Sequence, residues 1–503
     1  MPQRILLDRP LTWRQVAEVS EGAVLDLSDG AQARIRAAHL LVQAIVAQGV
    51  RAYGVNTGVG ALCDTVIPES KLEQLSRNIV MSHAVGVGAA LDSSAVRAII
   101  AAAVNNFAHG YSGVRPAVVE RLLALLERDC IPEVPALGSV GYLTHMAHIA
   151  LVLLGEGRAL LLGRSMSGAE ALQAVELAPL VLAPKEGLSL VNGTPCATGL
   201  AAIALARMKR LLDWADVVAA MTFENLRGQV AVFDADAVGL RPSVGVARVG
   251  ERLRAILSGS AILRQSAGRR TQDPLSLRAI PQVHGAVRDL FAHAARAVDE
   301  ELESMTDNPA VTGSAAAPRS LSGAQAVGAA LGLTVDSLAV AAAELAAMSE
   351  RRVDRLVNPL LSNLPAFLAT DDGAGSGFMI AQYTAVSLVA VNRRLAAPAS
   401  LDGGVTSGLQ EDHLSHATPG ALKLLEILDN AATIVAIELL AAAQAYELQR
   451  DSYSRAAQTD AVYRRVRAVV PQFRDDRPLS GDIRAARGLL LLQQPPELRS
   501  QPA

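Results

Sequence analysis

The sequence predicts an all-α protein, a bundle of long helices. Aromatic residues make up only 3% of its 503 residues, and 51% of the residues are hydrophobic, with Ala and Leu dominant. Small and unbranched side chains have high helix propensity and let helices pack closely, whereas strands favour β-branched and aromatic residues. Long segments with apolar residues at helical spacing lead to the same fold class.

Five segments carry that spacing and predict the main helical parts of the chain. They cover residues 31–48, 92–128, 187–221, 337–359 and 421–450. Gly49 ends the first segment, and Asn192, Gly193 and Pro195 announce the long helix of the third. The Ala-rich faces of these helices need partners, which indicates that they pack against one another. Residues 313–320, "GSAAAPRS", are predicted to be an exposed loop.

No low-complexity linker, charge block or internal repeat divides the sequence. We therefore expect one large helical domain over 1–503. Its parts would be an N-terminal region (1–115) with a lid loop at 53–60, a central bundle (116–425) and C-terminal helices (426–503).

The charge pattern gives no sign of a nucleic-acid or membrane partner. The formal net charge is −3 and is spread along the chain, so no basic patch for nucleic acid or anionic lipid is expected. The first residues lack the apolar core of a signal peptide, and stretches such as "LAVAAAELAAM" are interrupted by Glu344. We therefore expect neither secretion nor membrane insertion.

The three cysteines, Cys63, Cys130 and Cys196, are an odd number at unrelated spacings. They indicate neither a disulfide framework nor a zinc site. A cytoplasmic location is expected.

Residues 135–157, "PALGSVGYLTHMAHIALVLLGEG", predict a tight turn that leads directly into a helix. Glycines at 138 and 141 flank the turn, and apolar residues recur from Leu143 until Gly155 and Gly157 end the helix.

Three polar residues lie in segments that could border a ligand. Tyr53 stands in the Gly-rich "YGVNTGVG", where a phenol on a mobile loop can act as an acid or a base. To act as a base, this phenol needs a pKa well below its ordinary value of about 10. His83 can bind substrate or move protons, and the Asn192 amide can bind a carboxylate. Taken singly, a tyrosine in such a loop more often only packs against a helix, a histidine beside glycines is more often hydrogen-bonded to the backbone, and an Asn-Gly pair more often begins a helix or forms a turn.

Two later segments carry further candidates. Gln272 and Arg278 stand in "TQDPLSLRAIPQ". Arg278 can bind a substrate carboxylate through two hydrogen bonds or form an internal ion pair, and this segment alone favours neither interpretation over the other. "SGLQEDHLSH" supplies Glu411 and neighbouring Asp and His residues for proton transfer, although a charged loop is an equally ordinary interpretation. Their spacing matches no metal-binding signature.

Together these segments resemble the aromatic amino acid ammonia-lyase family, which includes histidine, phenylalanine and tyrosine ammonia-lyases and related aminomutases. The matching stretches follow the family's order from about residue 50 to 415, with "VRAVVPQFRDDRPLSGDI" further on. They are "AYGVNTGVG", "GSVG", "HIALVLLGEG", "LVNGT", "QDPLSLRAIPQ", "TDNP", "SERRVDRLVNP", "SGFMIAQYTA" and "SGLQEDHLS".

The resemblance implies a homotetramer of long helices with active sites shared between subunits, acting on a small amino acid or derivative. It implies that Tyr53 is the base on the lid loop and that Asn192 and Arg278 hold the substrate carboxylate. Gln272 would line the site near the prosthetic group, and Glu411 would face the amine or an imidazole. The pair Ser82-His83 is similar to the histidine-type selectivity position, and a polar pocket with His83 and Glu411 suits an imidazole.

One departure concerns the family's prosthetic group. In the family, "GSVG" is followed by Ala-Ser-Gly, which cyclises into the electrophile methylidene-imidazolone (MIO), whereas here Gly141 is followed by Tyr142 and no Ala-Ser-Gly occurs elsewhere. Ser139 is a poor substitute because it precedes β-branched Val140 instead of Gly. Either the sequence as written leaves out a modified residue, or the gene lacks these codons. A random deletion would rarely remove the whole cyclised unit and nothing else, which favours the first explanation.

Three more departures lie at the expected site. Tyr142 replaces the family's acidic residue after the triad, and Leu275 replaces the tyrosine of "QDPYS". "SGAQA" replaces "GGNFH", so that Ala324 and Gln325 stand where an amide and an aromatic wall are expected, and Gln325 becomes a candidate substrate contact.

Three functions remain open from the sequence. The first is an ammonia-lyase or aminomutase for an aromatic amino acid, histidine by preference, with MIO present. The second is a MIO-independent lyase or isomerase that keeps Tyr53 and Arg278 and acts on a better leaving group or a more acidic proton. The third is a non-catalytic homologue that binds an amino acid or a paralogue.

Overall fold

The computed structural model describes residues 3–370, 373–401 and 403–496, and α-helices dominate this part of the chain. The helices are α1 (Trp13–Ser20), α2 (Asp29–Ala47), α3 (Leu72–His83), α4 (Ser93–Ala108), α5 (Pro116–Glu127), α6 (Thr144–Leu153), α7 (Gly168–Ala174), α8 (Glu186–Val191), α9 (Pro195–Asn225), α10 (Ala235–Gly239), α11 (Val244–Leu257), α12 (Ala261–Ser266), α13 (Leu275–Arg278), α14 (Ile280–Glu303), α15 (Ala329–Val357), α16 (Pro359–Ser362), α17 (Met379–Leu395), α18 (Ala417–Glu447), α19 (Ala457–Val469) and α20 (Ser480–Leu492).

The strands are short, with three to five residues each. They are β1 (Arg4–Leu7), β2 (Val24–Leu27), β3 (Val87–Ala90), β4 (Cys130–Pro132), β5 (Pro135–Leu137), β6 (Arg158–Leu161), β7 (Arg164–Ser167), β8 (Ala310–Ser314) and β9 (Ala317–Leu321). β1 pairs with β2 in parallel, and the pairs β3–β5, β4–β6–β7 and β8–β9 are antiparallel. The all-α prediction is therefore confirmed.

Helices form where the apolar spacing placed them. α2 begins after Ser28, whose side chain accepts a hydrogen bond from the Ala31 backbone, and α4 begins after Asp92, which accepts from Ala95 at 2.7 Å. The zone at 92–128 contains α4 and α5, and the third segment contains α8 and α9, which Asn192–Thr194 separate. Local capping and periodicity therefore determine these boundaries.

Residues 313–317 are exposed, as predicted for the segment 313–320, but most of this segment pairs as the hairpin β8–β9, so the prediction of a loop is wrong. Val311 pairs with Ser320 and Ser314 with Ala317, which leaves only two residues in the turn. Val311 is buried against Val42 and Ile45 of α2. Burial of this apolar surface stabilises the hairpin, whose Ala, Gly and Ser residues have little strand propensity of their own.

The described residues form two compact units. The first unit comprises Met1–Ala206, Ala294–Asp336 and Pro398–Leu422, and the second comprises Arg207–His293, Ser337–Ala397 and Lys423–Ala503. In the first unit, every residue of α4 from Ala98 to Ala108 is buried. Ala-rich helices such as α4 pack at short distance because their side chains add little bulk.

One close approach in the first unit positions the candidate site. A Cβ on Gly187 of α8 would lie 2.0 Å from the carbonyl oxygen of Ser76 in α3, so only glycine fits there. The contact holds α8 directly against α3. His83 at the end of α3 and Asn192 after α8 are thereby placed on the same side of the unit.

Two helical segments are long and apolar enough to cross a membrane by length and composition alone, Glu186–Asn225 and Ala329–Val357. Their most apolar windows are 100% and 67% buried within the fold, as is usual for core helices. The sequence predicts that Glu344 interrupts the apolar stretch around it before that stretch reaches the length needed to span a membrane. The helix Ala329–Val357 nevertheless reaches that length with Glu344 inside it.

Candidate active site

The turn at 138–143 has a tightly bonded backbone. The Ser139 hydroxyl accepts a hydrogen bond from the Gly141 N–H at 3.1 Å and donates one to the Tyr142 carbonyl at 2.9 Å. Thr418 of α18 donates to the Gly141 carbonyl at 2.9 Å. A Cβ on Gly141, whose φ is 144°, would lie 2.7 Å from the Ser415 hydroxyl. These contacts together fix the course of the turn.

The turn ends in a strained residue. Leu143 has φ 78° and ψ −72°, and the Thr144 N–H donates to the Tyr142 carbonyl at 3.2 Å, which together define a γ-turn. A non-glycine residue in this region costs free energy and persists only where its surroundings hold it. α6 begins at the next residue without a side-chain cap.

The turn directs Tyr142 towards Glu411. The Tyr142 hydroxyl donates a hydrogen bond to Glu411 Oε2, although the two residues are 269 positions apart. Burial, the hydrogen bond to Glu411 and the charge of Glu411 all raise the pKa of Tyr142. Tyr142 therefore remains a protonated hydrogen-bond donor at neutral pH.

A cavity of about 910 Å³ opens beside this pair, within the first unit. Four of the residues singled out in the sequence line it, namely Tyr53, His83, Asn192 and Glu411. The structure thus brings together side chains from four distant segments, and Tyr142 lines the same cavity. Its volume is that of a small-molecule site.

Two loops form one wall of the cavity. In the first, Thr57 pairs with Val66, and in the second, Thr406 pairs with Glu411 through the Thr406 N–H, 2.9 Å from the Glu411 carbonyl. The two loops are in contact at Gly408 and Ala61. A Cβ added to Gly408 would lie only 2.8 Å from the Cβ of Ala61. This contact places the lid loop beside Glu411.

Tyr53 is half-buried on the lid loop, where its hydroxyl oxygen accepts a hydrogen bond from the Gly60 N–H at 3.1 Å. Burial raises its pKa, the Gly60 hydrogen bond partly opposes this, and the charge of Glu411 adds to the rise. The requirement that its pKa fall well below 10 is therefore not met in this structure. Tyr53 is a protonated phenol at neutral pH because nearby groups disfavour its anion.

His83 ends α3 and is half-buried at the cavity wall. Its Nδ1 lies 3.1 Å from the Ser82 hydroxyl, and burial lowers its pKa, against a smaller effect of the Ile79 backbone. The imidazole is therefore neutral at neutral pH and can accept or donate a hydrogen bond.

Asn192 is buried, and its amide is already bonded. Its Nδ2 donates to the Asn308 carbonyl at 2.7 Å and to Asp307 Oδ1 at 3.3 Å, while its Oδ1 accepts from the Gly193 N–H at 2.9 Å. Binding of a substrate carboxylate by Asn192 would therefore require one of these hydrogen bonds to be exchanged.

Behind Asn192 lies a charged pair that reasoning from the sequence missed. Lys185 Nζ lies 2.9 Å from Asp307 Oδ2, and both side chains are fully buried. Lys185 also donates to the Ser189 hydroxyl at 2.7 Å. The motif "TDNP" contains Asp307, so it offered a signal, but the partner lysine could be found only from the folded chain.

Gln272, Arg278 and Gln325 are not among the residues that line this cavity. Gln272 is exposed in the second unit, and Arg278 there has a buried Nε without a hydrogen-bond partner among the described residues. Leu275 is also exposed in that unit. Gln325, in the first unit, is exposed and folds back over Gly323, where an added Cβ would lie 2.7–2.8 Å from the Gln325 amide atoms.

The residues of the turn do not fit formation of MIO. Cyclisation of Gly138-Ser139-Val140 would need the Val140 nitrogen to attack the Gly138 carbonyl, and β-branched Val140 stands where that ring closure needs glycine. The Val140 carbonyl is held by the His416 N–H at 2.9 Å, and the Ser139 hydroxyl is bonded within the turn. The chain as written thus offers no electrophile here.

Comparisons with known proteins agree with the fold and the motifs. A family model described as aromatic amino acid lyase matches residues 11–468. The chain is 43% identical over 506 residues to a histidine ammonia-lyase from Anaeromyxobacter dehalogenans, covering 97% of this chain and 98% of that protein.

Two solved structures are also similar. Histidine ammonia-lyase from Trypanosoma cruzi matches with a TM-score of 0.89 at 34% identity, covering 99% of this chain and 100% of that one. The ergothioneine-degrading enzyme ergothionase from Treponema denticola, in complex with desmethyl-ergothioneine sulfonic acid, matches with a TM-score of 0.90 at 28% identity, covering 97% and 98%. The predicted fold type is thus confirmed, and the chain belongs to the aromatic amino acid lyase family.

Proposed function

We propose that this protein is a carbon–nitrogen lyase for histidine or a histidine derivative. The observation that carries the proposal is the convergence of Tyr53, His83, Asn192 and Glu411 on one cavity. Full-length similarity to a histidine ammonia-lyase supports the choice of substrate class. A neutral imidazole at His83 and a carboxylate at Glu411 suit an imidazole-bearing cation better than a phenyl ring.

The chain's own residues would bind and orient such a substrate. The Glu411 carboxylate would attract the substrate's positive nitrogen, and Asn192 would hold its carboxylate. In the shared active site that the resemblance implies, Arg278 would come from another subunit and bind the same carboxylate through its Nε, which has no hydrogen-bond partner among the described residues. A cation bound beside Tyr53 would lower the pKa of that phenol, so Tyr53 would become a base only once substrate is present. It would then remove the proton from the β-carbon while the carbon–nitrogen bond breaks.

The leaving group decides between two versions of this function. With no electrophile at the turn, loss of an ordinary amine should be very slow, because an amine is a poor leaving group. A quaternary nitrogen leaves more readily, since its positive charge does not depend on a proton and it always departs, with the bonding pair, as a neutral amine. Ergothioneine carries such a nitrogen, and similarity to an ergothioneine-degrading enzyme favours this second candidate for the 503-residue chain.

Intact mass and a two-substrate assay separate these versions. A mass equal to the 503-residue sequence, with release of amine from N-trimethylated histidine but not from histidine, supports the MIO-independent lyase. Additional mass equal to a dehydrated Ala-Ser-Gly, with histidine converted to a conjugated acid that absorbs in the near ultraviolet, supports the MIO enzyme. A β-amino acid product instead would identify an aminomutase. Binding without turnover of either substrate would refute the lyase proposal.

We also propose the homotetramer and the cytoplasmic location that the family resemblance implies. One face of α17 supports self-association, because Ile380, Tyr383 and Val386 recur on it and are exposed. Sedimentation of the purified protein tests the assembly. Monomers at micromolar concentration would refute it.

A further inference from the structure

Tyr142 directly follows the turn after which the family, by the resemblance above, carries the cyclising triad. Its side chain is only 6% exposed, yet it lines the cavity and its hydroxyl meets Glu411. Neither a binding nor a catalytic role follows for it from the family motifs, which have an acidic residue at this position.

The backbone around Tyr142 is held from both sides. Val140 and Gly141 are bonded to His416 and Thr418 through their carbonyl oxygens, and Leu143 completes the turn at φ 78°. Strain of this kind is retained when neighbouring contacts enforce it. The turn therefore holds the Tyr142 phenol rigidly in a position from which its hydroxyl reaches the Glu411 carboxylate.

The hydrogen bond changes what Glu411 can offer a ligand. A carboxylate has two acceptor oxygens, and Tyr142 occupies Oε2. The remaining oxygen can then face a positively charged nitrogen. Arg51, a cation that also lines the cavity, does not compete for it, because Arg51 is paired with Asp64 at 2.7 Å.

We propose that Tyr142 is a positioning residue that orients the Glu411 carboxyl group to receive the cationic α-nitrogen of the substrate. This inference rests on the proposed function, because it assigns one subsite of the same cavity. The ligand class is an amino acid or betaine whose nitrogen is positively charged. Tyr142 acts through Glu411 and need not touch the reacting atoms.

A binding comparison tests the role. Wild type and Tyr142→Phe are titrated with L-histidine and with imidazolepropionate, which lacks the α-nitrogen. We expect Tyr142→Phe to weaken histidine binding about tenfold, the scale of one hydrogen bond to a charged group, and to leave imidazolepropionate binding unchanged. Tyr111→Phe, a change at an exposed tyrosine outside the cavity lining, should alter neither ligand.

The ligand without the α-nitrogen supplies the second readout, because a purely structural role of Tyr142 would weaken the binding of histidine and imidazolepropionate alike. Thermal unfolding of each variant checks that the fold is kept, and KM and kcat are recorded separately for any ligand that is turned over.

The possible outcomes are distinct. Equal weakening of both ligands, or no weakening of either, overturns the positioning role while leaving the proposed function intact. If wild type binds neither ligand nor N-trimethylated histidine, the proposed function fails and this inference fails with it. If wild type binds only N-trimethylated histidine, that ligand replaces histidine in the comparison. Selective loss of histidine binding, with imidazolepropionate binding unchanged, supports the inference.

Discussion

Lys185 and Asp307 form an ion pair in which neither side chain is exposed, with Nζ 2.9 Å from Oδ2. The second oxygen of Asp307 accepts a hydrogen bond from Asn192, which lines the cavity. The pair thus connects the buried interior of the first unit to the candidate site. A buried charge of this kind is tolerable only because its partner is present.

Removing one member of this pair should destabilise the protein strongly. Asp307→Ala leaves the Lys185 ammonium buried without its counter-charge, and we expect a loss of about 3–5 kcal/mol in the free energy of unfolding. Denaturant titration measures it. Lys209→Ala serves as the control, because it breaks the partly exposed pair with Asp213 and should cost less than about 1 kcal/mol. Equal losses for the two variants would show that burial of the pair has no energetic consequence.

Tyr53→Phe should leave folding intact and lower any lyase or isomerase rate by roughly 10²-fold, the usual scale for a lost proton-transfer group. Because the pKa of Tyr53 is raised above its ordinary value without substrate, the wild-type rate should rise with pH across the neutral range as the phenol ionises more readily. Steady-state kinetics against pH measures both effects. Tyr111→Phe is the matched control, and full activity in Tyr53→Phe would reduce Tyr53 to a packing residue.

His284 should make the stability of the protein decrease in acid. It is fully buried in the second unit, with Nδ1 2.8 Å from Asp216, and its pKa is lowered chiefly by burial, against an opposing effect of Asp216. Arg288 and Arg352 also disfavour its charged form. The folded protein therefore binds fewer protons here than the unfolded chain, so stability is present above the ordinary histidine pKa of about 6.5 and is lost as pH falls through the lowered folded value.

The His284→Asn variant isolates this contribution. Its unfolding free energy should depend less on pH below about 6.5 than that of wild type, because no imidazole remains to be protonated. His293→Asn, a change at an exposed histidine of the same unit, should keep the wild-type dependence. If the unfolding free energy of His284→Asn decreased in acid as much as that of wild type, groups other than His284 would be responsible for the acid sensitivity.

Gly141→Ala should destabilise the turn for two separable reasons. Alanine disfavours a φ of 144°, and its Cβ would lie 2.7 Å from the Ser415 hydroxyl. Gly163→Ala is the matched control, since Gly163 also has a positive φ, of 76°, but has open space around it. Thermal unfolding midpoints should therefore fall further for Gly141→Ala than for Gly163→Ala. A smaller fall would mean that the turn relaxes without cost.

The sequence by itself determined the helices and the family. α2, α4 and α18 form where apolar periodicity and capping residues predict them, because these signals act within a few turns of one helix. The motifs around Tyr53, Asn192 and Glu411 likewise predicted a shared site, and the folded chain places these residues in one cavity.

Only the tertiary structure decided the features that depend on distant partners. The hairpin β8–β9 forms because Val311 finds an apolar surface on α2, and the bond from Tyr142 to Glu411 joins residues 269 positions apart. The raised pKa of Tyr53 depends on burial and on the charge of Glu411, neither of which is encoded in the residues of its own loop. Burial and through-space charge belong to the folded chain, and for this reason local sequence cannot specify them.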